Sequence, residues 1–363
     1  MRGPSLRLVA INSLVLLLLL SPVALPWLLA QWALGNPRGA TKLPLLGPAA
    51  LSLARWPYLN IYRQGIQGRK ECFQRDITLT YLGKPNGRCR FDSLEFNTTV
   101  QMNSFGVRDT QAALLKPRTL VIGDSHAMGW GVEAEQRFSQ LLPQPSLNLG
   151  VASYGTAREL RLLERYADQY TEAYQGVETI VLQYCGNDYG ENQATGAKRF
   201  QSTSYQSYTA NSPYINPKQL IDAGNPLHLR LFTENWLMQL LGKNYDPFNL
   251  PKGAHGSALL NSFKPYQKLL AGKTLLIFAS TDYGEYNSRV SADLQGVLSK
   301  LRQLLKGSTV LLMDSSKVCN RDCYYLLDDH LTVAGHQRIG EGLKQLLKNS
   351  NYASHSASTN QRQ

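Results

Sequence analysis

The strongest constraint on the fold is a series of five short apolar runs, separated from one another by chain with helical periodicity. The runs show no polar alternation, which is typical of strands that are covered on both faces. We therefore predict an α/β fold over residues 116–349, a three-layer sandwich in which a mainly parallel five-stranded sheet lies between helices. The predicted strands are Thr119–Ile122, Leu147–Leu149, Thr179–Tyr184, Thr274–Ala279 and Thr309–Met313.

Three further regions surround this core. Residues 38–115 are punctuated by Pro and Gly and predict a linker followed by a small N-terminal extension, and residues 350–363 predict a disordered tail. Residues 189–272 form an insertion rich in aromatic side chains, which either line the mouth of a site for sugar rings or acyl chains or pack inward as a lid. These aromatic residues are Tyr189, Tyr205, Tyr208, Tyr214, Phe232, Trp236, Tyr245 and Phe248.

The N-terminal residues 1–37 predict a membrane anchor. Leu8–Ala30 is uncharged and long enough for a transmembrane helix, and Arg2 and Arg7 precede it. The alternative is a cleaved signal peptide with its cleavage site at Ala33–Gly35, but the apolar region is longer than such peptides usually have. Both interpretations export the remainder of the chain. We expect a membrane-anchored extracytoplasmic protein, periplasmic or on the cell surface, or a secreted one after cleavage.

Five cysteines fit an exported protein. Cys72 and Cys89 flank a predicted hairpin with its tip at residues 84–87, and Cys319 and Cys323 lie four apart in a turn-like stretch. We predict two disulfides, Cys72–Cys89 and Cys319–Cys323, with Cys185 left over. The alternative is that all five are reduced and buried. A zinc site is disfavoured because no His lies at ligand spacing from either pair, and we expect no metal or cofactor.

Charge does not indicate a nucleic-acid partner. The chain of 363 residues has 38 Lys and Arg against 26 Asp and Glu, a net charge of +12. These basic residues are scattered, and the sequence contains no zinc-finger spacing or aromatic RNA-binding motif. We therefore expect no nucleic acid among the partners.

Polar motifs follow the predicted strands at the edge where parallel sheets carry their chemistry. The first strand runs into Gly123-Asp124-Ser125-His126, the second into residues 148–156, and the third into Cys185-Gly186-Asn187-Asp188. Asp328-Asp329-His330 follows the fifth strand. Each motif alone is an ordinary turn or helix cap. Together, at successive strand ends, they predict one site.

These motifs resemble those of the SGNH (GDSL-type) hydrolases, which carry a Ser, a Gly, an Asn and a His in four blocks. Gly123-Asp124-Ser125, Gly186-Asn187-Asp188 and His330 match three blocks, and the resemblance covers about residues 118–349. It implies a flavodoxin-like fold and ester chemistry, and the motifs are closest to SGNH domains associated with glycan O-acylation. Two blocks depart from the pattern: Ser153 stands where the second block has Gly, and Leu327 where the last has Asp.

The residue types also predict the chemistry directly. Serine needs a base to become a nucleophile, so we assign Ser125 as the nucleophile and His330 as the base. A carboxylate should orient the imidazole, and we favour Asp328 over Asp329 because adjacent side chains diverge. The oxyanion would be met by the Ser125 N–H, the Asn187 amide and an N–H of the second block. For that block we name Ser153, with Gly155 and Gly150 as neighbours in the same turn.

Three functions remain open at this point. The first is a serine acyl esterase acting on an O-acylated carbohydrate or lipid, and the second is an O-acyltransferase that modifies an envelope polysaccharide through the same acyl-enzyme. The third is a non-catalytic, membrane-anchored glycan-binding module, which the intact Ser125, Asn187 and His330 disfavour. The remaining histidines show no metal spacing, and we expect structural or surface roles for them: His126, His228, His255, His336 and His355.

Overall fold

The computed structural model describes residues 24–63, 69–202, 232–233 and 250–360. The part of the predicted membrane anchor up to residue 23 lies outside these residues. None of the helices within the described ranges is long and apolar enough to cross a membrane.

The N-terminal described residues form helices that pack against a distant loop. Residues 24–35 are helical, and α1 (Pro37–Ala40) and α2 (Leu46–Arg63) follow. Asn36 caps α1 by accepting the Gly39 N–H at 3.0 Å. Together these helices bury a small apolar cluster that includes Leu327, which lies just before the predicted catalytic histidine in the sequence. The other buried members are Ala33, Leu34, Ala40, Ala50, Leu51, Ala54 and Tyr58.

Two antiparallel hairpins come next, and they correct one prediction. In the first, β1 (Phe73–Asp76) pairs with β2 (Thr80–Gly83), and in the second β3 (Arg88–Asp92) pairs with β4 (Asn97–Gln101). The prediction of a hairpin with its tip at residues 84–87 is therefore wrong, because this turn joins two separate hairpins. Asn86 donates its N–H to Asn103 O at 3.0 Å, so the turn bonds to the chain beyond β4.

Both predicted disulfides are present. Cys72–Cys89 links the residue before β1 to β3, with 5.6 Å between the Cα atoms, and Cys319–Cys323 spans 5.7 Å. Cys185 is a buried free thiol. The first bridge ties together the two hairpins of the N-terminal extension.

The rest of the chain forms the α/β core. Its elements in chain order are β5 (Thr119–Ile122), α3 (Ser125–Met128), β6 (Ser146–Asn148), α4 (Thr156–Gln169), α5 (Thr171–Gln175), β7 (Thr179–Tyr184), α6 (Asp188–Thr195), α7 (Ala254–Phe263), α8 (Gln267–Leu270), β8 (Thr274–Ala279), α9 (Asn287–Leu304), β9 (Thr309–Met313) and α10 (Val333–Asn360). The strand order is β6-β5-β7-β8-β9, and all neighbours are parallel. This order is consistent with a flavodoxin-like fold, and the predicted α/β fold with a five-stranded sheet is confirmed.

In β5, β7, β8 and β9, successive apolar residues enter opposite apolar clusters, as a sheet flanked by helices requires. In β5, Leu120 belongs to the cluster that contains Leu160 of α4, whereas Val121 belongs to the cluster that contains Ile339 of α10. Four strands have the predicted bounds. The second strand is shifted by one residue, to Ser146–Asn148, because its last pair in the ladder is Asn148 with Val121.

Two peripheral predictions have different outcomes. The last helix, α10, continues to Asn360, through most of the tail for which we expected disorder. Extending an existing helix adds a hydrogen bond per residue without a new nucleation step, so a polar sequence can continue the helix.

Two aromatic residues of the insertion lie among the described residues. Phe232 packs edge-on against Trp27, with 5.4 Å between the ring centroids, and the ring centroid of Tyr189 lies 5.5 Å from that of His255. The other six aromatic residues named above lie outside the described residues.

Candidate functional site

The next strand in the chain after β5, β6, lies on one side of β5, and the later strands β7, β8 and β9 lie on the other. At such a switch point, a crevice forms at the carboxyl ends of the neighbouring strands. Ser125 opens α3 directly after β5, and Asn187 follows β7. Gly123 is needed at the turn because a Cβ there would come within 2.6 Å of Ala127 Cβ. Asp124 caps α3 by accepting the His126 N–H at 2.9 Å. The hydroxyl of Ser125 therefore lies at the switch point of the sheet.

Three predicted residues form a continuous hydrogen-bonded chain. The Oγ of Ser125 lies 2.6 Å from Nε2 of His330, and Nδ1 of His330 lies 2.6 Å from Oδ1 of Asp328. Ser125 is 8% exposed, His330 6% and Asp328 0%. This is the arrangement of nucleophile, base and orienting carboxylate that serine-dependent acyl transfer needs.

The two candidate aspartates converge on the imidazole rather than diverging, contrary to our reasoning from adjacent side chains. Oδ1 of Asp329 lies 2.9 Å from His330 Nδ1, compared with 2.6 Å for Asp328. Asp328 also accepts the main-chain N–H of His330 at 3.1 Å. The shorter distance and the second bond favour Asp328 as the residue that orients the ring.

The predicted oxyanion donors face a small cavity of about 60 Å³. Ser153 lines this cavity, is exposed, and has a positive φ of 63°. Within the described residues, the N–H groups of Ser125 and Ser153 donate to no protein acceptor. The Asn187 amide donates to Oδ2 of Asp124 at 3.3 Å, which leaves its second N–H for a ligand. The described residues around the cavity are Asp124, Ser125, His126, Ala152, Ser153, Asn187, Asp282, Asp329 and His330.

Two hydrogen bonds help to decide which residue after β6 provides the oxyanion donor, because they occupy the N–H groups of Gly155 and Gly150. The N–H of Gly155 donates to Oε1 of Glu191 at 3.2 Å, and that of Gly150 donates to Oδ1 of Asn148 at 2.8 Å. Neither glycine lines the cavity among the described residues. The geometry therefore favours Ser153 over Gly155 and Gly150 as the donor.

Beneath the site lies a group of buried carboxyls. Burial raises the pKa of Asp124, and it raises the pKa of Asp188 and Glu159 well above their ordinary values, with mutual repulsion adding to the shift. Asp188 accepts the Thr156 hydroxyl at 2.8 Å, whereas neither carboxyl oxygen of Glu159 has a hydrogen-bond partner among the described residues. A protonated Glu159 avoids a buried, unpaired charge next to the site.

The other histidines occupy different surroundings. His126 lines the cavity, with its ring centroid 4.7 Å from that of His330 and its Nδ1 3.2 Å from Ser280 Oγ. His255 contacts the Tyr184 hydroxyl at 3.0 Å. His336 accepts the Phe138 N–H at 3.3 Å, and burial lowers its pKa to about 3. His228 lies outside the described residues, as does the side chain of His355.

Potential metal ligands approach one another in two places within the described part of the chain. One group is Asp328, Asp329 and His330, which belongs to the hydrogen-bonded chain already described. The other is His126, Cys185 and Asp282, in which the ligand atoms lie within 4.8 Å of one another. A larger groove of about 620 Å³, between α9, β9 and α10, contains none of the predicted site residues.

One residue at the site has no signal in the sequence. Glu95, between β3 and β4, bonds the backbone of the loop that carries Asp328. An isolated Glu in a surface hairpin is too common to single out, and its partners lie more than two hundred residues away. Only the folded chain brings them together.

Comparisons with known proteins do not identify the chain. No protein family matches the sequence, and no curated protein matches it either. Among the solved structures with some similarity, one has 12% sequence identity and a TM-score of 0.35, and covers 65% of this chain and 98% of its own. A similarity this remote carries no argument about family or function.

Proposed function

We propose that the protein is an SGNH-type serine acyl esterase that cleaves O-acyl groups from a glycan or a lipid through an acyl-enzyme. The observation that carries this proposal is the chain of short contacts from Ser125 Oγ through His330 to Asp328. Two features add support. The N–H groups of Ser125 and Ser153 at the cavity have no protein acceptor in the part of the chain that the structure describes, and the site lies at the switch point of the sheet.

The geometry suggests how each residue acts. His330 Nε2 accepts the Ser125 hydroxyl proton as Oγ attacks the ester carbonyl, and a bond forms from Oγ to the carbonyl carbon. The oxyanion is met by the N–H groups of Ser125 and Ser153 and by the Asn187 amide. His330 then returns the proton to the departing alkoxide, so an alcohol leaves. Water repeats the sequence on the acyl-enzyme and releases the carboxylic acid.

The size of the cavity supports a short acyl group. The cavity at the site has a volume of about 60 Å³. Its small size favours a short acyl group such as acetyl over a fatty acyl chain. We therefore propose an acetylated glycan or lipid as the substrate class.

The compartment is part of the proposal. Disulfides such as Cys72–Cys89 and Cys319–Cys323 persist in oxidising environments, and the apolar Leu8–Ala30 segment fits an uncleaved anchor. We propose an extracytoplasmic enzyme that is held at the membrane by its N-terminus.

The low exposure of Ser125 and His330 favours a second candidate, an O-acyltransferase. In a site that restricts water, a sugar hydroxyl can reach the acyl-enzyme first and take the acyl group. Hydrolysis and transfer share every step up to the acyl-enzyme and differ only in which hydroxyl attacks it.

The test uses the full chain in detergent with an activated acetyl ester. We expect hydrolysis by the wild type and loss of catalysed hydrolysis in Ser125→Ala, while the exposed-site control Ser104→Ala keeps the wild-type rate. Following acetyl groups in solution and on an added glycan acceptor separates hydrolysis from transfer. Equal rates for the wild type and Ser125→Ala would refute both candidates.

A further inference from the structure

We propose that Glu95, which lies outside the α/β core, is a positioning residue for the loop of residues 326–330, which carries Asp328 and His330 and is called the catalytic loop below. This inference rests on the proposed function, because it assigns Glu95 the task of holding Asp328 and His330 in their reactive geometry. It also makes the N-terminal extension a working part of the site.

The contacts of Glu95 are specific to the loop. Its Oε1 accepts the N–H of Leu326 at 2.7 Å, and its Oε2 accepts the N–H groups of Leu327 and Asp328, each at 2.8 Å. One carboxylate thus binds three consecutive backbone donors at the distances of charge-assisted hydrogen bonds. The last donor belongs to Asp328, the residue that orients His330.

The carbonyls of the same loop are held by other side chains. Leu326 O accepts from Arg55 Nε of α2 at 2.7 Å and from Arg321 Nη2 at 3.0 Å. Leu327 O accepts the hydroxyl of Tyr283 at 2.6 Å. These bonds constrain the carbonyl side of the loop, while Glu95 constrains its N–H side.

Burial makes the contribution of Glu95 hard to replace. Leu327 and Asp328 are 0% exposed, so water cannot readily take over their N–H groups if the carboxylate is removed. A loop that relaxes to satisfy these donors moves the Asp328 carboxylate away from Nδ1 of His330. A displacement of about 1 Å at a reacting group can cost about a hundredfold in rate.

A matched control is Glu133, which follows α3 in the core and bonds the backbone of the same hairpin. Glu133 also accepts a backbone N–H, that of Thr99 in β4, at 3.0 and 3.3 Å to its two oxygens. Thr99 and Glu133 are not among the described residues around the cavity. Glu133→Gln therefore perturbs a carboxylate-to-backbone bond of the extension without touching the catalytic loop.

The experiment compares Glu95→Gln, Glu95→Ala and Glu133→Gln in the full chain. Glu95→Ala should lower kcat by about a hundredfold with little change in KM, and Glu95→Gln, which keeps one acceptor oxygen, should lower it less. Glu133→Gln should keep the wild-type kcat. A second readout is the downfield NMR signal of the His330 Nδ1 proton, which reports its hydrogen bond to Asp328 and should shift or broaden only in the Glu95 variants.

The two readouts separate this inference from the proposed function. If the wild type hydrolyses no ester but the His330 signal responds to Glu95→Gln, the function fails and the positioning role stands. If Glu95→Gln, folded by circular dichroism, matches Glu133→Gln in both kcat and the NMR signal, the positioning role is refuted. Should Glu95→Ala not fold, the Gln variant alone decides between these outcomes.

Discussion

One oxygen of Asp328 accepts two hydrogen bonds from His330, from the ring Nδ1 at 2.6 Å and from the main-chain N–H at 3.1 Å. The double contact fixes the carboxylate relative to both the backbone and the ring. With Nδ1 carrying the proton, Nε2 is left as an acceptor that faces the Ser125 hydroxyl at 2.6 Å. The separation of two positions between Asp328 and His330 therefore accounts for the orientation of the His330 ring.

The first prediction distinguishes the two aspartates. Asp328→Asn should lower kcat by about 10³–10⁴-fold, because an amide cannot stabilise the imidazolium and can enforce the wrong tautomer. Asp329→Asn should have a much smaller effect, since its contact with Nδ1 is longer and Asp328 remains. Steady-state kinetics on an activated acetyl ester measures both. Equal losses would mean that the two carboxylates act as a pair.

The second prediction concerns the oxyanion donors. Asn187→Ala should lower kcat by about 10²–10³-fold because it removes a side-chain donor. Ser153→Gly should retain most of the activity, since the proposed donor is the main-chain N–H and glycine accepts a φ of 63° without strain. A large loss in Ser153→Gly would show instead that the hydroxyl of Ser153 takes part.

The third prediction concerns stability. Replacing Cys72 and Cys89 by Ser should lower the free energy of unfolding by about 3 kcal/mol, because the bridge joins residues separated by 17 positions. The same change at Cys319 and Cys323, separated by four residues, should cost about 2 kcal/mol. Urea unfolding of the oxidised wild type and both double variants gives these values. The reverse ranking would contradict an effect governed by loop length.

The fourth prediction follows from the buried carboxyl of Glu159. Its pKa is raised in the folded chain, so above about pH 4.5 the unfolded chain releases a proton that the folded chain keeps. This group should therefore make the fold less stable as the pH rises, by at most about 1.4 kcal/mol per pH unit. Glu159→Gln should remove this slope, and the exposed-site control Glu172→Gln should not. Guanidinium unfolding at pH 5 and 7.5 tests this, and parallel slopes for Glu159→Gln and the wild type would contradict it.

The sheet could be predicted from the sequence because its strands are buried on both faces. A run such as Thr274–Ala279 has no polar position after its first residue, and it reappears unchanged as β8. The hairpins of the extension were harder, since a turn-forming stretch does not say which strands pair. The turn at residues 84–87 has residues that favour a hairpin, but the strands on its two sides do not pair with each other. β2 pairs with the preceding strand β1, and β3 pairs with the following strand β4.

The residues of the candidate site also differ in whether the sequence alone could identify them. Ser125 and Asn187 were predictable because each lies just beyond the end of a strand, and His330 because its motif leads into the last helix. The choice of Ser153 over Gly155 depends on Glu191, which lies on a different helix and takes the Gly155 N–H. Glu95 reaches its partners across more than two hundred residues, and no local pattern encodes that contact.

The central claim is that Ser125 is a nucleophile activated by His330, and covalent labelling with an activated phosphonate tests it most directly. Intact-mass analysis and peptide mapping of the labelled full chain should show one adduct on the peptide that contains Ser125. Ser125→Ala should take up no label, and His330→Ala should react far more slowly than the wild type. An adduct at another residue, or unchanged labelling of Ser125→Ala, would contradict the account.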